Sequence, residues 1–396
     1  MSATLNPRID GKLRDGLWIR QTPSVYTKFY KDFVTNSYYN TLSTTSATQG
    51  KVKPSSQILQ WLTRINYPKA DLSEHVISTF DTSLENLCLL LRLILVAFPF
   101  ENTQMHYTSH RTMDISHEGL FQRLVVEGNG SYCFGLNTLF LQMIRGLGYR
   151  AYPGAGRVNE QPPNTPPIFL PFVHMVVFVQ PKDGSETYLA DACGGGSCIT
   201  QPILLADGQT VMGTSPTETH TLIRSARPES SLATSPGRPN AAVEWYLIIR
   251  HKKPSGDSSE RVCYSFIEDE FFQADYDAAN VSVYSSKHGF FADNLVCAKC
   301  IWLGDEEMET LAGSENSEEI GSKTLTDVSI SLTYRYMGRL TMDGKTVKRH
   351  IGPRSEVIKT MEKETDRIEV LRDIFGVDIP PEEIRFMKGR VPSLDG

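Results

Sequence analysis

The stretch GNGSYCFGLN, residues 128–137, is the part of this chain on which the prediction of its fold rests. It places one cysteine, Cys133, between a glycine-containing turn and an apolar segment that runs to Gly148. The apolar residues of that segment recur at helical spacing and end in glycines, which predicts a helix that begins at the cysteine. A thiol at a helix N-terminus meets the positive end of the helix dipole, which favours the nucleophilic thiolate.

Two neighbours of the cysteine favour a catalytic interpretation over the alternative of a buried structural thiol, which is common in protein cores. Gly130 gives the approaching turn conformational freedom, and Ser131 is a candidate cap for the helix. Position therefore makes Cys133 a candidate nucleophile.

After this helix the apolar period changes from 3.6 to 2, which predicts strands. Strands are expected over residues 149–158, 169–180 and 186–192, and the sequence PKDG at 181–184 predicts a hairpin turn between the last two. His174 and Asp191 lie on the two arms of this hairpin. Each has a structural interpretation of its own, as a histidine bonded to a backbone carbonyl or as an aspartate that starts a turn.

The two residues lie at equal distances from the turn, which predicts that they meet. His174 is seven residues before Pro181, and Asp191 is seven residues after Gly184. A cross-strand His–Asp contact is therefore expected. Asp191 would then orient His174, His174 would take the proton of Cys133, and helix N–H groups would receive the oxyanion of an acyl transfer.

Other segments carry simpler patterns. Helices are expected at 55–65, 83–97 and 116–126, and a strand at 243–251. Residues 205–241 are rich in Ser, Thr, Pro and Gly, which predicts an exposed insertion. The first 53 residues end in a polar, linker-like composition.

Composition excludes several classes of partner. The 396 residues carry a net charge of −6, which gives no reason to expect binding to nucleic acid or to an anionic membrane. The N-terminus lacks an apolar core typical of a secretory signal, and the longest apolar run, 87–98, is too short to span a bilayer. Seven scattered cysteines favour free thiols in a reducing compartment, so the cytoplasm is the expected location.

Two further motifs are weaker. Cys297 and Cys300 form a CxxC on a predicted strand, where they would point to opposite faces, so no metal site is expected. The glycines at 194–196 follow Asp191 directly, and they either turn the chain or let the pantetheine or phosphate of a cofactor approach the backbone.

Taken together, these motifs resemble the arylamine N-acetyltransferase family, and its longer fungal members in particular. The matching segments run from about residue 54 to the C-terminus, outside the 205–241 insertion. They are PFEN at 99–102, SYCF at 131–134 with Asn137, His174, LADA at 189–192 with Gly195, YSF at 264–266, DYDAAN at 275–280 and YSS at 284–286.

The resemblance implies an α+β fold of transglutaminase-like architecture, with a helical bundle, a central antiparallel β-barrel and a C-terminal α/β lid. The regions expected from it are an N-terminal extension (1–53), the bundle with the nucleophile (54–148), the barrel with His174 and Asp191 (149–262), an interdomain segment (263–300) and the lid (301–396).

The resemblance also implies a ping-pong mechanism with acyl-CoA as co-substrate and no permanently bound cofactor. Cys133 would accept an acyl group, from acetyl-CoA or malonyl-CoA, and pass it to a small aromatic amine or hydrazine. By position in the family pattern, Gly195, Ser285 and Ser286 would lie near CoA. Phe100 and Phe172 would be apolar walls of the substrate cleft, or else core residues.

Departures from the family pattern leave alternatives open. Asn129 stands where the family usually has arginine, Ser131 where it has glycine, and Gly135 where it has glutamate, so the usual ionic support of the nucleophile is absent or replaced. After Asp191, Cys193 and Gly194 replace the commoner Gly-Phe. The alternatives are a cysteine hydrolase of transglutaminase-like fold and a non-catalytic homologue. The sequence does not decide the acyl donor, the acceptor or the oligomeric state.

Overall fold

Helices occupy most of the chain between Ser55 and Gly146, and strands outnumber helices among the described residues after Gly146. The computed structural model describes residues 54–69, 72–182, 184–227, 230, 243–253, 255–312 and 332–394. The helices in the first part are α1 (Ser55–Arg64), α2 (Glu74–Ser78), α3 (Leu84–Ala97), α4 (Thr103–His106), α5 (His117–Leu120), which continues as a π-helical turn (Phe121–Val126), and α6 (Cys133–Gly146).

Helices α3 and α6 form the centre of this helical part. Both are apolar on nearly all sides, so that residues such as Leu90, Leu91, Leu139 and Phe140 are completely buried. The side chain of Ser83 caps α3 by accepting a hydrogen bond from the backbone N–H of Asn86.

A barrel-like antiparallel sheet of eight strands packs against α6. Its strands are β2 (Arg150–Asn159), β3 (Phe169–Gln180), β4 (Tyr188–Ala190), β5 (Ile203–Leu204), β6 (Thr210–Met212), β7 (Glu218–Ala226), β8 (Val243–Lys252) and β9 (Ser258–Phe266). They are ordered β5-β4-β3-β2-β9-β8-β7-β6. Alternate residues of β3 divide between two cores, because Met175 and Val177 face the helices while Val176 and Phe178 face the sheet interior.

A second sheet is built from β1 (Phe100–Glu101), β10 (Val296–Trp302), β11 (Met337–Asp343), β12 (Thr346–Ile351) and β13 (Arg354–Thr360), in the order β1-β10-β11-β12-β13. The helices that accompany the later strands are α7 (Gln273–Tyr284), α8 (Phe290–Asp293), α9 (Asp305–Ala312) and α10 (Glu364–Val370), with a π-helical turn (Leu371–Phe375) and a 3₁₀ helix (Pro381–Met387) after α10. This sheet has its own core around Met361, Leu371 and Phe375.

A buried ion pair joins the two sheets. Arg339 on β11 donates two hydrogen bonds, of 2.6 and 2.7 Å, to the carboxylate of Glu218 on β7. His220 lies 2.7 Å from the same carboxylate. Burial alone would raise the pKa of Glu218, but Arg339 and His220 hold it well below its ordinary value.

The structure bears out the expected α+β class and most of the expected elements. The strand at 169–180 and the helices beginning at Leu84 and Cys133 lie where the sequence placed them. The predicted helix at 116–126 changes from α to π geometry at Phe121.

The prediction of an exposed insertion at 205–241 is wrong for the first half of that segment. Residues 210–226 supply β6 and β7, and His220 and Leu222 are completely buried there. The many Ser and Thr residues hid the alternation of side chains along β7, because β-branched threonine is a good strand former as well as a polar residue. Residues 228–229 and 231–242 lie outside the described part of the chain, as do residues 1–53.

Two expected boundaries fall inside strands. The boundary at 262/263 divides β9, and that at 300/301 divides β10. The strands of the barrel therefore reach Phe266, and the second sheet takes in β10 from Val296. The division of the chain into functional regions stays a prediction.

None of the helices within the described residues is both long enough and apolar enough to cross a membrane.

We expect Arg339→Met to destabilise the fold by about 3 to 5 kcal/mol, because it leaves the carboxylate of Glu218 buried without its cation. The double variant Glu218→Gln/Arg339→Met should lose much less, since it buries no uncompensated charge. Urea unfolding at pH 7 measures both. Equal losses in the two variants would contradict this account.

Candidate active site

Cys133 is the first residue of α6 and is buried, with 5% of its surface exposed. Tyr132 precedes it in extended backbone as the N-cap residue. No side chain among the described residues caps this helix, so its first N–H groups remain available to a ligand beside the thiol.

The expectation that Ser131 caps the helix is wrong. Its hydroxyl points instead toward Gly135 in the first turn of the helix. A Cβ atom at position 135 would lie 2.2 Å from Oγ and 2.7 Å from Cβ of Ser131. The two departures from the family pattern at 131 and 135 therefore fit each other sterically.

The turn that leads to Cys133 depends on two glycines for different reasons. Gly128 has a φ of +84°, a conformation that favours glycine. Gly130 lies against the chain before β1, where a Cβ would come within 2.1 Å of the carbonyl oxygen of Pro99. At Gly130 the constraint is thus close approach of two backbones, not the conformational freedom expected from the sequence.

His174 and Asp191 are both buried, and Nε2 of the imidazole lies 2.8 Å from Oδ2 of the carboxylate. The symmetric pairing expected across the hairpin is wrong. Val177 on β3 pairs with Ala190 on β4, so Asp191 continues opposite Val176 and not opposite His174. The contact is diagonal, between side chains on the same face of two neighbouring strands.

Asp191 accepts hydrogen bonds from three further groups. Asn137 on α6 donates to Oδ1 at 2.8 Å, the backbone N–H of Cys193 donates to Oδ1 at 3.0 Å, and the hydroxyl of Tyr264 on β9 donates to Oδ2 at 3.1 Å. Burial raises the pKa of Asp191, but His174, Asn137 and the Cys193 N–H lower it more strongly, so the net direction is down. The carboxylate is therefore held in its ionised form.

The ionised carboxylate determines the charge of His174. Burial disfavours the imidazolium, but Asp191 stabilises it by charge and hydrogen bonding, and a hydrogen bond with Cys133 adds to this. The net effect raises the pKa of His174 to about 10. The thiol also lies close to β3, with Sγ 3.7 Å from the carbonyl oxygen of Val173. The structure thus brings Cys133, His174 and Asp191 together.

Aromatic side chains pack around Tyr132, the residue that precedes Cys133. Phe100 lies 6.0 Å from Phe291, measured between ring centroids, and Phe291 lies 5.4 Å from Tyr132. Phe172 stands apart from this group, because its ring faces the guanidinium of Arg157 at 3.6 Å and packs against Phe271 at 5.4 Å.

The three residues expected near CoA lie on two segments. Gly195 is half-buried beside Phe100, where a Cβ would meet the ring at an ordinary 3.8 Å. Ser285 ends α7, and both Ser285 and Ser286 are exposed at the start of the loop that leads to Phe291. Phe100 thus lies beside Gly195 and also packs against Phe291.

Sequence reasoning missed several residues of this site. Tyr264 and Asn137 were part of quoted motifs without an assigned role, and Phe291 and Arg123 were not singled out. Hydrophobic periodicity predicts whether such a residue is buried, but it does not show whether the residue has a function. Only the three-dimensional packing identifies these four residues as part of the site.

The CxxC cysteines are both buried on β10, and they do not pair with each other. Sγ of Cys300 lies 3.7 Å from Sγ of Cys198 instead. No group of three or more His, Cys, Asp or Glu side chains in the described ranges is arranged to hold a metal ion.

Comparison with known proteins gives the family. The profile of the family described as N-acetyltransferase matches residues 83–314, more than half of the chain. The chain belongs to the arylamine N-acetyltransferase family. It is accordingly an acyltransferase, an enzyme that transfers acyl groups to amines.

Relatives cover most of this chain and most of their own length. The chain is 25% identical to the N-malonyltransferase FDB2 of Fusarium pseudograminearum, over 83% of this chain and 90% of that protein. The arylamine N-acetyltransferase of Mycobacterium marinum superimposes with a TM-score of 0.60 at 21% identity, over 85% of this chain and 98% of the other. The same Mycobacterium marinum protein in complex with CoA gives a TM-score of 0.57 at 22% identity, over 85% and 96% of the two chains. These likenesses bear out the expected transglutaminase-like fold.

We expect Asp191→Asn to lower kcat/KM at pH 7 by about a thousand- to ten-thousandfold. Without the carboxylate, burial would dominate and the pKa of His174 would fall below its ordinary value, so the imidazolium would be lost. Steady-state acylation of an aromatic amine measures this, with the exposed Asp207→Asn as a matched control. A loss of less than about tenfold would show that Asp191 does not govern His174.

Proposed function

We propose that this protein is an acyl-CoA:arylamine N-acyltransferase that works through a thioester on Cys133. The observation that carries the proposal is the buried imidazole of His174, which lies 2.8 Å from a carboxylate that accepts four hydrogen bonds, next to the helix-terminal thiol of Cys133. We assign catalytic roles to Cys133, His174 and Asp191.

In the first half-reaction, the thiolate of Cys133 attacks the thioester carbonyl of acyl-CoA. The oxyanion of the tetrahedral intermediate is received by N–H groups at the start of α6. The bond to the CoA sulfur breaks, and CoA leaves as a thiol with the proton held by His174. The products are free CoA and acyl-Cys133.

In the second half-reaction, an aromatic amine attacks acyl-Cys133 and its proton passes to His174. The carbon–sulfur bond breaks, the amide leaves, and the imidazolium–thiolate pair is restored. Asp191 keeps its charge throughout, because it stabilises the imidazolium without taking its proton.

Binding of CoA is supported by a relative and by the local structure. The arylamine N-acetyltransferase of Mycobacterium marinum binds CoA in its solved complex. Gly195 leaves backbone accessible beside Phe100, and Ser285 and Ser286 carry exposed hydroxyls on the loop leading to Phe291, that of Ser286 donating to the carbonyl of His288. We assign these three residues to CoA, and Phe100 and Phe172 to the walls of the acceptor cleft.

The acyl donor is a short acyl-CoA, and malonyl-CoA is to be tested beside acetyl-CoA. The reason is the length over which the chain matches the N-malonyltransferase FDB2 of Fusarium pseudograminearum.

All seven cysteines are free thiols, which supports a reducing compartment, the cytoplasm, as the place of the reaction.

The proposal is tested by intact-protein mass spectrometry after mixing with acetyl-, propionyl- and malonyl-CoA in turn. We expect one acyl group per chain with the preferred donor, no adduct in Cys133→Ala, and an unchanged adduct in Cys88→Ala, whose thiol lies on α3. Addition of an aminophenol should discharge the adduct as an amide.

Two outcomes would contradict the proposal. An adduct that persists in Cys133→Ala would place the acyl group on another residue. Release of free acid in the presence of the amine, with no amide formed, would favour the cysteine hydrolase.

A further inference from the structure

We propose that Arg123 is the positioning residue of the nucleophile, because it holds the turn that sets the start of α6. The inference rests on the proposed role of Cys133. The side-chain hydrogen bonds of Arg123 go to residues other than Cys133, His174 and Asp191, so it would act through the backbone of residues 128–131.

Arg123 binds this turn through both its side chain and its main chain. Nε donates a hydrogen bond of 2.7 Å to the carbonyl oxygen of Gly130, three residues before Cys133. Its own carbonyl accepts a hydrogen bond of 3.0 Å from the N–H of Asn129. The residue belongs to the π-helical turn Phe121–Val126, a distortion that proteins often place at functional sites.

The terminal Nη2 of the Arg123 guanidinium binds a buried carboxylate. Nη2 donates to Oε1 of Glu101 at 2.7 Å and to Oγ1 of Thr103 at 3.0 Å. Glu101 has no exposed surface, and its carboxylate also accepts a hydrogen bond from the backbone N–H of Thr103. The backbone N–H of Glu101 also donates to the carbonyl oxygen of Ser131 at 3.0 Å.

These contacts connect the strand β1, the turn and the π-helical segment into one hydrogen-bonded unit. The turn has no room for a side chain at its centre, because a Cβ at Gly130 would lie 2.1 Å from the carbonyl oxygen of Pro99. Small displacements at a nucleophile are costly, since catalysis requires the reacting atoms and the oxyanion donors in a narrow geometry. Loss of the Arg123 bond to Gly130 should therefore displace Cys133 and slow its reactions.

This unit also explains the departure at position 129. Asn129 does not supply a cation to the turn, and its side-chain oxygen instead accepts a hydrogen bond of 2.8 Å from the N–H of Asp378. The positive charge beside Glu101 comes from Arg123, six residues earlier in the chain. Of the two alternatives for the usual ionic support of the nucleophile, absence or replacement, the Arg123–Glu101 pair favours replacement.

The test uses variants that separate position from buried charge. Glu101→Gln/Arg123→Met removes the bond to Gly130 without leaving a carboxylate unpaired, whereas Glu101→Gln alone keeps that bond. The matched control is Arg145→Met at the other end of α6, where Nε of Arg145 donates a similar bond of 2.8 Å to the carbonyl of Ala151.

The readouts are the rate of Cys133 alkylation by iodoacetamide at pH 7 and at pH 9, and the kcat and KM of amine acylation. We expect the double variant to alkylate about tenfold more slowly at pH 7 and to lose about ten- to a hundredfold in kcat, with KM within about threefold of wild type. The ratio of the alkylation rate at pH 7 to that at pH 9 should also fall in the double variant. A variant that is merely less stable would leave this ratio unchanged. Glu101→Gln should lose less, and Arg145→Met should match wild type.

A double variant that alkylates and turns over like wild type would overturn the inference, as would an equal loss in Arg145→Met. If the double variant does not fold, Arg123→Lys carries the test, because it keeps a charge beside Glu101 and lacks the Nε donor. A wild-type rate in Arg123→Lys would then overturn the inference. Failure of the proposed function has a different signature. In that case the wild-type protein itself would form no acyl adduct on Cys133.

Discussion

The site depends on one buried carboxylate, that of Asp191. Its four donors come from different parts of the fold: the strand β3, the helix α6, the barrel strand β9 and the backbone that follows β4. A single anion therefore links the helical part to the barrel and also orients His174. Each donor on its own contributes modestly, but together they keep a charge ionised where burial opposes it.

The local elements of this fold could be predicted from the sequence, because periodicity reports which side of an element is apolar. The helix at Cys133 and the strand carrying His174 follow from such patterns. The pairing of the hairpin could not be predicted in the same way. Equal counts from the turn suggested a direct pair, but the true register is displaced by two residues, and the long side chains of His174 and Asp191 span the diagonal.

Support between distant segments could not be predicted from the sequence. Arg123 lies on a helical segment with no motif, and only the folded chain brings it to Gly130 and Glu101. Likewise, Tyr264 is 73 residues from Asp191 in sequence. The polar composition that suggested an exposed insertion failed for a related reason, because Glu218 and His220 are buried against an arginine from the other sheet.

The close fit of Ser131 and Gly135 limits which side chains the start of α6 can carry. A Cβ at position 135 would lie 2.7 Å from the Cβ of Ser131 and also 2.7 Å from Cδ2 of Leu120 on α5, so glycine at 131 alone would not make room for a side chain there. Glutamate, the usual family residue at 135, therefore requires both a smaller residue at 131 and a displaced Leu120 side chain, so a single substitution at 135 would disturb the first turn of α6.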